Sequence, residues 1–366
     1  MRIGVDSTKF PGARDLTAIG LLERVDELGF EGVYFRSVLE LSPALDAAEL
    51  RDVQDCARDL DLRIEAGIGK VNPFTVPELP DLRALGGGDY RRAMHLLIEA
   101  AAECGVHELW SALCNYQFSL RGLDAFDRFR TDVQWSEQLT ATVRFLKTLA
   151  PVLRAHGTHV NLETHEEITS FELVRIVEEV GQDVVGITFD TANVLVRGES
   201  AVAAARRVAP YVRATHVRDA ALVHAEDGLT RILRPVGEGV IDWPGVLEAI
   251  AAAEPMLSIE GIISSRAAMP IPFFDERWES GHPDQVADER EELFRLADDY
   301  EERARQGLVP DAAALSGPVS SGEPLEFLLR SARALRSHLT ETVTQSVTAP
   351  LSEPAGLAAL SSKENE

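Results

Sequence analysis

Cysteine is scarce in this sequence, which has only Cys56, Cys104 and Cys114 among 366 residues. Three scattered thiols are too few for a disulfide framework or a thiolate metal cluster, so we expect a protein of the reducing cytoplasm. The chain also lacks any run of about 18 apolar residues and any apolar stretch behind a basic start. From these absences we expect the chain to have neither a membrane span nor an export signal.

Positive charge is the second thing that the sequence lacks. Its 36 Lys and Arg residues stand against 60 Asp and Glu residues, which gives a formal net charge of -24. No run of basic residues interrupts this acidic background, and an acidic surface repels polyanions. We therefore expect no nucleic-acid partner. The hydrophobic content of 45% is enough for a large core in one barrel-sized domain.

Short β-branched runs alternate with longer amphipathic stretches along most of the chain. The runs that predict strands are residues 2–6, 32–37, 62–69, 107–113, 159–165, 184–190, 212–219 and 256–261. Helical patterns separate them, as at residues 17–28 and 136–155. Eight strands in strict alternation with helices favour a closed parallel (β/α)₈ TIM barrel of the α/β class. Because alternation alone does not show closure, an open doubly wound sheet is the alternative.

The composition changes after the last predicted strand. A charged helix at residues 287–305 is expected to close the barrel, after a loop at 270–285 that is rich in proline and aromatic residues. Alanine, serine and proline dominate beyond residue 307, and GPVSSG at 317–322 is typical of a linker. We predict a barrel at 1–306 and a C-terminal extension at 307–366, with one amphipathic helix at 325–343 and a flexible end. This helix could dock on the barrel, on a second subunit or on nothing.

Ionisable residues lie at the carboxyl ends of four successive predicted strands, where barrels of this kind place their reacting groups. They are Glu163, Asp190, His216 and Glu260. The intervals of 27, 26 and 44 residues correspond to two single βα units and one unit lengthened by the loop around residues 235–242. All four side chains can therefore converge on one mouth of the barrel.

A single acid after a strand is more often a helix cap or a solvated charge, but four in succession are harder to explain that way. Three carboxylates buried together would repel one another or take up protons, at a cost of several kcal/mol. One bound divalent cation removes this cost. Three carboxylates and an imidazole favour Mn²⁺, with Mg²⁺, Co²⁺ or Zn²⁺ as alternatives.

Other residues are candidates for the same site. His165 lies two residues beyond Glu163 on the same strand face, and an ordinary histidine titrates near neutral pH, so it could act as a general acid or base or only orient substrate. Trp110 and Trp135 could line a sugar pocket, although an aromatic residue at a strand end is usually part of the core.

Residues 135–260 resemble the xylose-isomerase-like TIM-barrel superfamily of sugar phosphate isomerases and epimerases. The stretches that carry the resemblance are NLETH, GITFDTANVL, PYVRATHVRD, PVGEGVIDWPGVL and LSIEG. The resemblance implies that Glu163, Asp190, His216 and Glu260 match the family's metal ligands. In the ketose epimerases of the family, the two glutamates also lie on opposite sides of the substrate and move its proton.

Two positions depart from the family pattern. Arg218 stands where the family often has a lysine, and arginine is a poor proton carrier. Asn193 stands where ketose epimerases place a histidine, and its amide can hydrogen-bond a sugar hydroxyl but cannot titrate. Both residues are candidates for substrate binding, and both make a standard ketose 3-epimerase a poorer match.

The sequence therefore predicts a divalent-metal-dependent sugar isomerase or epimerase that moves a proton next to a carbonyl through a metal-stabilised enediolate. Glu163, Glu260 and His165 are the candidate catalytic residues. The alternative is a lyase or dehydratase on an oxidised sugar or polyol, such as an inosose-dehydratase-like enzyme or the large subunit of a C-glycoside deglycosidase. The expected partners are a small sugar or polyol and a second subunit, either another copy of this chain or a small subunit.

Two other classes fit less well. A related barrel cleaves damaged DNA with three zinc ions, but it requires more histidine and acidic ligands and a basic face. A non-catalytic binding subunit would not be expected to keep an intact set of ligands.

Overall fold

The computed structural model describes residues 1–75, 82–117, 119–120, 122–263, 267–318 and 320–348. Eight parallel strands form a closed barrel in the spatial order β1, β10, β7, β6, β5, β4, β3, β2. Their bounds are β1 Ile3–Asp6, β2 Gly32–Phe35, β3 Arg63–Gly67, β4 Glu108–Ser111, β5 His159–Glu163, β6 Val185–Asp190, β7 Val212–Val217 and β10 Leu257–Ile259. The predicted closed barrel is confirmed, and the open doubly wound sheet is excluded.

Helices lie between the barrel strands along the chain, and four more follow the last barrel strand in the described residues. Their bounds are α1 Ala18–Glu27, α2 Val38–Leu41, α3 Ala47–Asp59, α4 Leu82–Leu85, α5 Tyr90–Glu103, α6 Trp135–His156, α7 Ser170–Val180, α8 Asn193–Val196, α9 Ala201–Val208, α10 Trp243–Ile250, α11 Trp278–Gly281, α12 Ala287–Arg305, α13 Ala312–Leu315 and α14 Glu323–Thr348. Every residue of β6 is buried, because one face of a barrel strand packs on the interior and the other on the helices. None of the described helices is long and apolar enough to cross a membrane.

A second, antiparallel sheet was not predicted. It consists of β8 (Asp219–Ala225), β9 (Gly228–Arg234) and β11 (Ala268–Ile271), with β9 in the middle. The predicted strand at 212–219 in fact ends at Val217, and the chain enters β8 two residues later. β11 likewise begins just before the stretch predicted as the loop at 270–285. This sheet is therefore attached to the carboxyl ends of β7 and β10.

Gly228 permits the tight connection between β8 and β9. Its φ of 145° is rarely adopted by other residues, and a Cβ atom there would lie 2.3 Å from the carbonyl oxygen of Ile271. Only glycine fits this close approach of β9 to β11 without a shift of the backbone.

The helix that covers the last gap around the barrel differs from the predicted one. The charged helix α12 was expected to close the barrel, but it packs against β8 of the second sheet. Instead α14 lies against β1, β10 and α10. Its Phe327, Leu328, Ala332 and Leu335 are buried in the main hydrophobic core. Of the three possibilities left open for this helix, the structure shows docking on the barrel. The predicted flexible end at 349–366 lies outside the described residues.

Candidate metal centre

The four predicted ligands meet at the carboxyl end of the barrel. Glu163 is the last residue of β5, Asp190 is the last of β6, His216 lies in β7, and Glu260 directly follows β10. Asp190 and His216 are paired across β6 and β7, and His216 is opposite Ser258 of β10. One ligand atom from each of the four side chains lies within 4.8 Å of the others, and all four residues are buried.

The chemistry of this metal group, as we call these four residues, fits a divalent cation. Nδ1 of His216 is 3.4 Å from Oε1 of Glu163 and 4.0 Å from Oε2 of Glu260. This nitrogen is buried and has no hydrogen-bond partner among the residues that the structure describes. A cation between the imidazole and the carboxylates would satisfy the nitrogen and relieve the repulsion between the acids.

Mutual charge dominates the protonation of the metal group. Burial by itself would lower the pKa of His216, but the charges of Glu163, Glu260 and Asp190 raise it to about 9. Burial raises the pKa of Asp190 to about 6, although Arg218 opposes this effect. Such perturbed values in a cleft are typical of functional sites.

Arg218 links two of the ligands. Its Nη2 is 2.6 Å from Oδ2 of Asp190, and its Nη1 is 2.7 Å from Oε2 of Glu260. Lys9 adds a second cation 3.5 Å from Oε1 of Glu260. Burial would raise the pKa of Glu260, but Arg218, Lys9 and His216 lower it to about 2. The predicted substrate-binding arginine therefore also holds the ligand carboxylates in place.

Asn193 is a second point of contact between ligands and cations. Its Nδ2 donates to Oε1 of Glu163 over 3.1 Å. Its Oδ1 accepts from Nη2 of Arg218 at 3.0 Å and from Nη1 of Arg231 at 2.9 Å. Because Asn193 is the first residue of α8, its backbone N–H can also donate to Oδ1 of Asp190, over 2.8 Å. The amide thus bridges the metal group and two guanidinium groups.

Aromatic side chains form one wall of the site. The indole of Trp110 donates to Oε2 of Glu163 over 2.8 Å, which fixes this carboxylate. The ring of Tyr34 lies 4.6 Å from the ring of His216, and Nζ of Lys70 lies 4.7 Å from the centre of the Trp110 ring. The structure therefore places Trp110 beside the metal group, and its role in substrate binding stays a prediction.

His165 is held by two carboxylates. Its Nδ1 makes a short hydrogen bond to Glu167, and its Nε2 is 3.1 Å from Oε2 of Glu166. Burial opposes the charged ring, but Glu167, Glu166 and Glu163 raise its pKa to about 10. The sequence-based expectation of a pKa near neutrality is wrong, because these neighbours could not be inferred from a strand pattern. The carboxylates around the ring therefore favour its protonated form.

Trp135 lies elsewhere. As the first residue of α6, it donates from its indole to Oε1 of Glu172 over 2.9 Å, and the guanidinium of Arg128 lies 5.3 Å from its ring. The contacts found for Trp135 tie α6 to α7, and none of them joins it to the metal group. We therefore find no contact that supports its expected role in substrate binding.

Sequence reasoning missed several residues around the metal group. Lys9 follows the end of β1 by three residues, so the search for charged residues at strand ends could have found it. Tyr34 lies within β2 and looks like an ordinary core residue. Arg231 lies in β9, between the predicted strand at 212–219 and the loop around 235–242, where no element was predicted, and nothing in its local pattern points to the barrel.

Comparison with known proteins agrees with this geometry. The family profile described as the xylose isomerase-like TIM barrel matches residues 22–295, so this chain belongs to that family. The predicted family is thereby confirmed.

Individual relatives are more distant. The uncharacterised Escherichia coli K12 protein YihM is 23% identical over 252 residues, which cover 66% of this chain and 75% of YihM. The structure of an L-ribulose 3-epimerase has a TM-score of 0.58 at 16% identity and covers 96% of this chain and 99% of its own. A probable 3-DHS dehydratase, AsbF of Bacillus anthracis, has a TM-score of 0.51 at 15% identity, with 71% and 93% covered. At such low identity these structures show only that the fold is shared. The reactions in their names apply to those proteins.

Proposed function

We propose that this protein is a metal-dependent enzyme that moves a proton next to the carbonyl of a sugar or polyol, as an isomerase or epimerase does. The convergence of Glu163, Asp190, His216 and Glu260 at the carboxyl end of the barrel carries this proposal. Barrels of this class place their catalytic groups at that end. The solved structures of sugar epimerases with the same fold support it.

The four residues of the metal group would hold one divalent ion, for which Mn²⁺ is favoured because the donors are mainly oxygen. When bound, this ion supplies a Lewis acid that polarises the carbonyl of the substrate. The two glutamates would handle the proton. Neighbouring cations lower the pKa of Glu260 to about 2, and His216 and His165 hold that of Glu163 well below its usual range despite burial. Both are carboxylates at neutral pH and can accept a proton.

A lyase or dehydratase is the second candidate, and the state of His165 favours it. An imidazolium beside Glu163 can protonate a leaving hydroxyl or alkoxide, which an epimerase does not need. The likeness to the fold of AsbF is compatible with this alternative. An inosose dehydratase or the large subunit of a C-glycoside deglycosidase would use the same first step, abstraction of a proton next to a carbonyl.

Hydrogen exchange with solvent tests the shared first step. The Mn²⁺-loaded chain is incubated in D₂O with ketohexoses, inososes and 3-keto-glycosides, and proton NMR follows the carbon-bound hydrogen next to the carbonyl. We expect deuterium to enter at least one substrate, and Glu163→Gln and Glu260→Gln to slow its entry by roughly 10² or more, because each removes a proton acceptor.

Glu226→Gln is the matched control, because Glu226 is exposed in the connection between β8 and β9. Loss of a hydroxyl or an aglycone during exchange identifies a lyase, whereas a new diastereomer or a shifted carbonyl identifies an epimerase or isomerase. Exchange that both glutamine variants leave unchanged would contradict the proposal.

A further inference from the structure

Two arginine side chains meet beside the metal group. Oδ1 of Asn193 accepts hydrogen bonds from Nη2 of Arg218 at 3.0 Å and from Nη1 of Arg231 at 2.9 Å. The two guanidinium groups are thus held within reach of one oxygen atom, and both residues are almost completely buried. Two like charges in such a place repel each other, and burial away from water increases the cost.

Arg218 is better compensated in this position than Arg231. Arg218 has short contacts to two carboxylates, Asp190 and Glu260. Arg231 has Glu166 at 3.9 Å, which is too long for a hydrogen bond. Nε of Arg231, like that of Arg218, is buried and has no hydrogen-bond partner among the described residues. Burial and the neighbouring Arg218 lower the pKa of Arg231 to about 10, although Glu166 opposes them, so it still carries its charge at neutral pH.

Arg231 belongs to the second sheet and not to the barrel strands that supply the metal group. Arg231 lies in the middle strand of the second sheet, opposite Leu222 of β8 and Met269 of β11. The same strand carries Arg234, which points to a different partner and lies 2.6 Å from Glu238. Arg231 therefore donates to a neutral amide, whereas Arg234 on the same strand is paired with a carboxylate.

We propose that Arg218 and Arg231 bind an anionic group of the substrate, a carboxylate or a phosphate, so that the enzyme acts on an acidic sugar derivative and not on a neutral one. This inference rests on the proposed function, because it assumes that the substrate lies at the metal group. Guanidinium groups suit this task, since their planar N–H donors match the oxygen atoms of carboxylates and phosphates. Arg231 is then a residue that determines substrate specificity, contributed by the second sheet.

Matched pairs of ligands test the inference. Isothermal titration of the full, Mn²⁺-loaded chain compares fructuronate with fructose, glucuronate with glucose, and fructose 6-phosphate with fructose. We expect at least one acidic ligand to bind about tenfold or more tightly than its neutral counterpart, which corresponds to about 1.4 kcal/mol. The uronates and the phosphate separate the two sources of negative charge.

Three variants locate the effect. Arg231→Gln should abolish the preference for the acidic ligand, whereas Arg231→Lys should keep part of it because the charge remains. Arg234→Gln is the matched control on the same strand and should keep the whole preference. Circular dichroism and thermal melting establish that each variant is folded, so that a loss of preference reports on the subsite.

Each outcome supports or contradicts the inference. Equal affinity within every pair, a preference that Arg231→Gln retains, or no binding of any acidic ligand would overturn the inference. Deuterium exchange into neutral sugars without a preference for acids would overturn the anion subsite and leave the proposed function intact. A preference that depends on Arg231, without exchange into any ligand, would support the subsite and contradict the proposed function.

Discussion

His165 has both ring nitrogens engaged, one by Glu167 and the other by Glu166. A ring held in this way is a fixed donor, because each carboxylate stabilises the proton on the nitrogen that faces it. His165 follows Glu163, the last residue of β5, by two residues, and the charge of Glu163 acts on the ring. The carboxylates around His165 therefore favour a role as proton donor over a role as proton acceptor.

Replacement of His165 by asparagine tests this role. If the imidazolium protonates a leaving group, we expect His165→Asn to lower kcat by roughly 10² to 10⁴, because a general acid of the transition state is lost. Deuterium exchange next to the carbonyl should continue in this variant, since the glutamates perform that step. Steady-state kinetics and exchange, measured on the same preparation, provide the two readouts. A change confined to KM would assign His165 to substrate positioning.

At the scale of elements, the second sheet and α14 change how the barrel is completed. Asp219, at the start of β8, accepts hydrogen bonds from the backbone N–H of Gly237 and Ile241 and from the indole of Trp243. It thereby fixes the connection from β9 to α10. Glu238 in the same segment lies 3.3 Å from Arg330 and so ties this connection to α14.

Leu328 of α14 provides a test of how far the barrel depends on its C-terminal helix. This side chain is completely buried in the main core, so we expect Leu328→Ala to lower the free energy of unfolding by about 2–5 kcal/mol. Leu308 is the control, because it is 69% exposed and its replacement by alanine should change stability by about 0.5 kcal/mol or less. Urea denaturation measures both. Equal stability of the two variants would show that α14 does not stabilise the barrel.

The division at residues 306 and 307 stays a prediction. It was based on a change in composition, and the burial of four side chains of α14 in the main core argues that the extension belongs to the same cooperative unit. A chain that ends at residue 306 would expose the apolar surface on β1 and β10 that these side chains cover.

At the scale of the whole molecule, metal binding should be visible as stability. A ligand that binds only the folded chain stabilises it, by about 2.7 kcal/mol when its concentration is 100 times its Kd. We therefore expect Mn²⁺ to raise the melting temperature of the chelator-treated protein, and elemental analysis to find about one divalent ion per chain. Asp190→Asn should weaken this shift because one anionic ligand is lost.

The same variant separates a functional site from a structural one. The hydrophobic core extends over the whole barrel and does not depend on Asp190, so we expect Asp190→Asn to fold without metal. Complete unfolding of this variant would indicate that the ion holds the fold together. Unchanged melting of the parent chain with every divalent ion tested would contradict the metal prediction.

Hydrophobic periodicity was enough to predict the eight strands of the barrel, although not that the barrel closes. Buried side chains alternate along a strand and recur along one face of a helix, so the local sequence shows which segments form strands and helices. For this reason β1 to β7 and α12 were predicted close to their observed bounds. The convergence of Glu163, Asp190 and Glu260 could be predicted for a related reason. In a parallel barrel the end of every strand reaches the same mouth, so position along the chain specifies position in space.

Contacts between distant segments cannot be inferred from a local sequence pattern. The pairing of β9 with β11, the position of α14 on β1 and β10, and the approach of Arg231 to Asn193 each join residues far apart in sequence. The protonation of His165 likewise depends on how three carboxylates are arranged around it, and Coulomb energies depend on distance and burial. Sequence alone therefore determined the eight strands of the barrel and the four residues of the metal group. Only the tertiary structure decided which charges surround them, because those charges come from loops and a second sheet whose positions are set by packing.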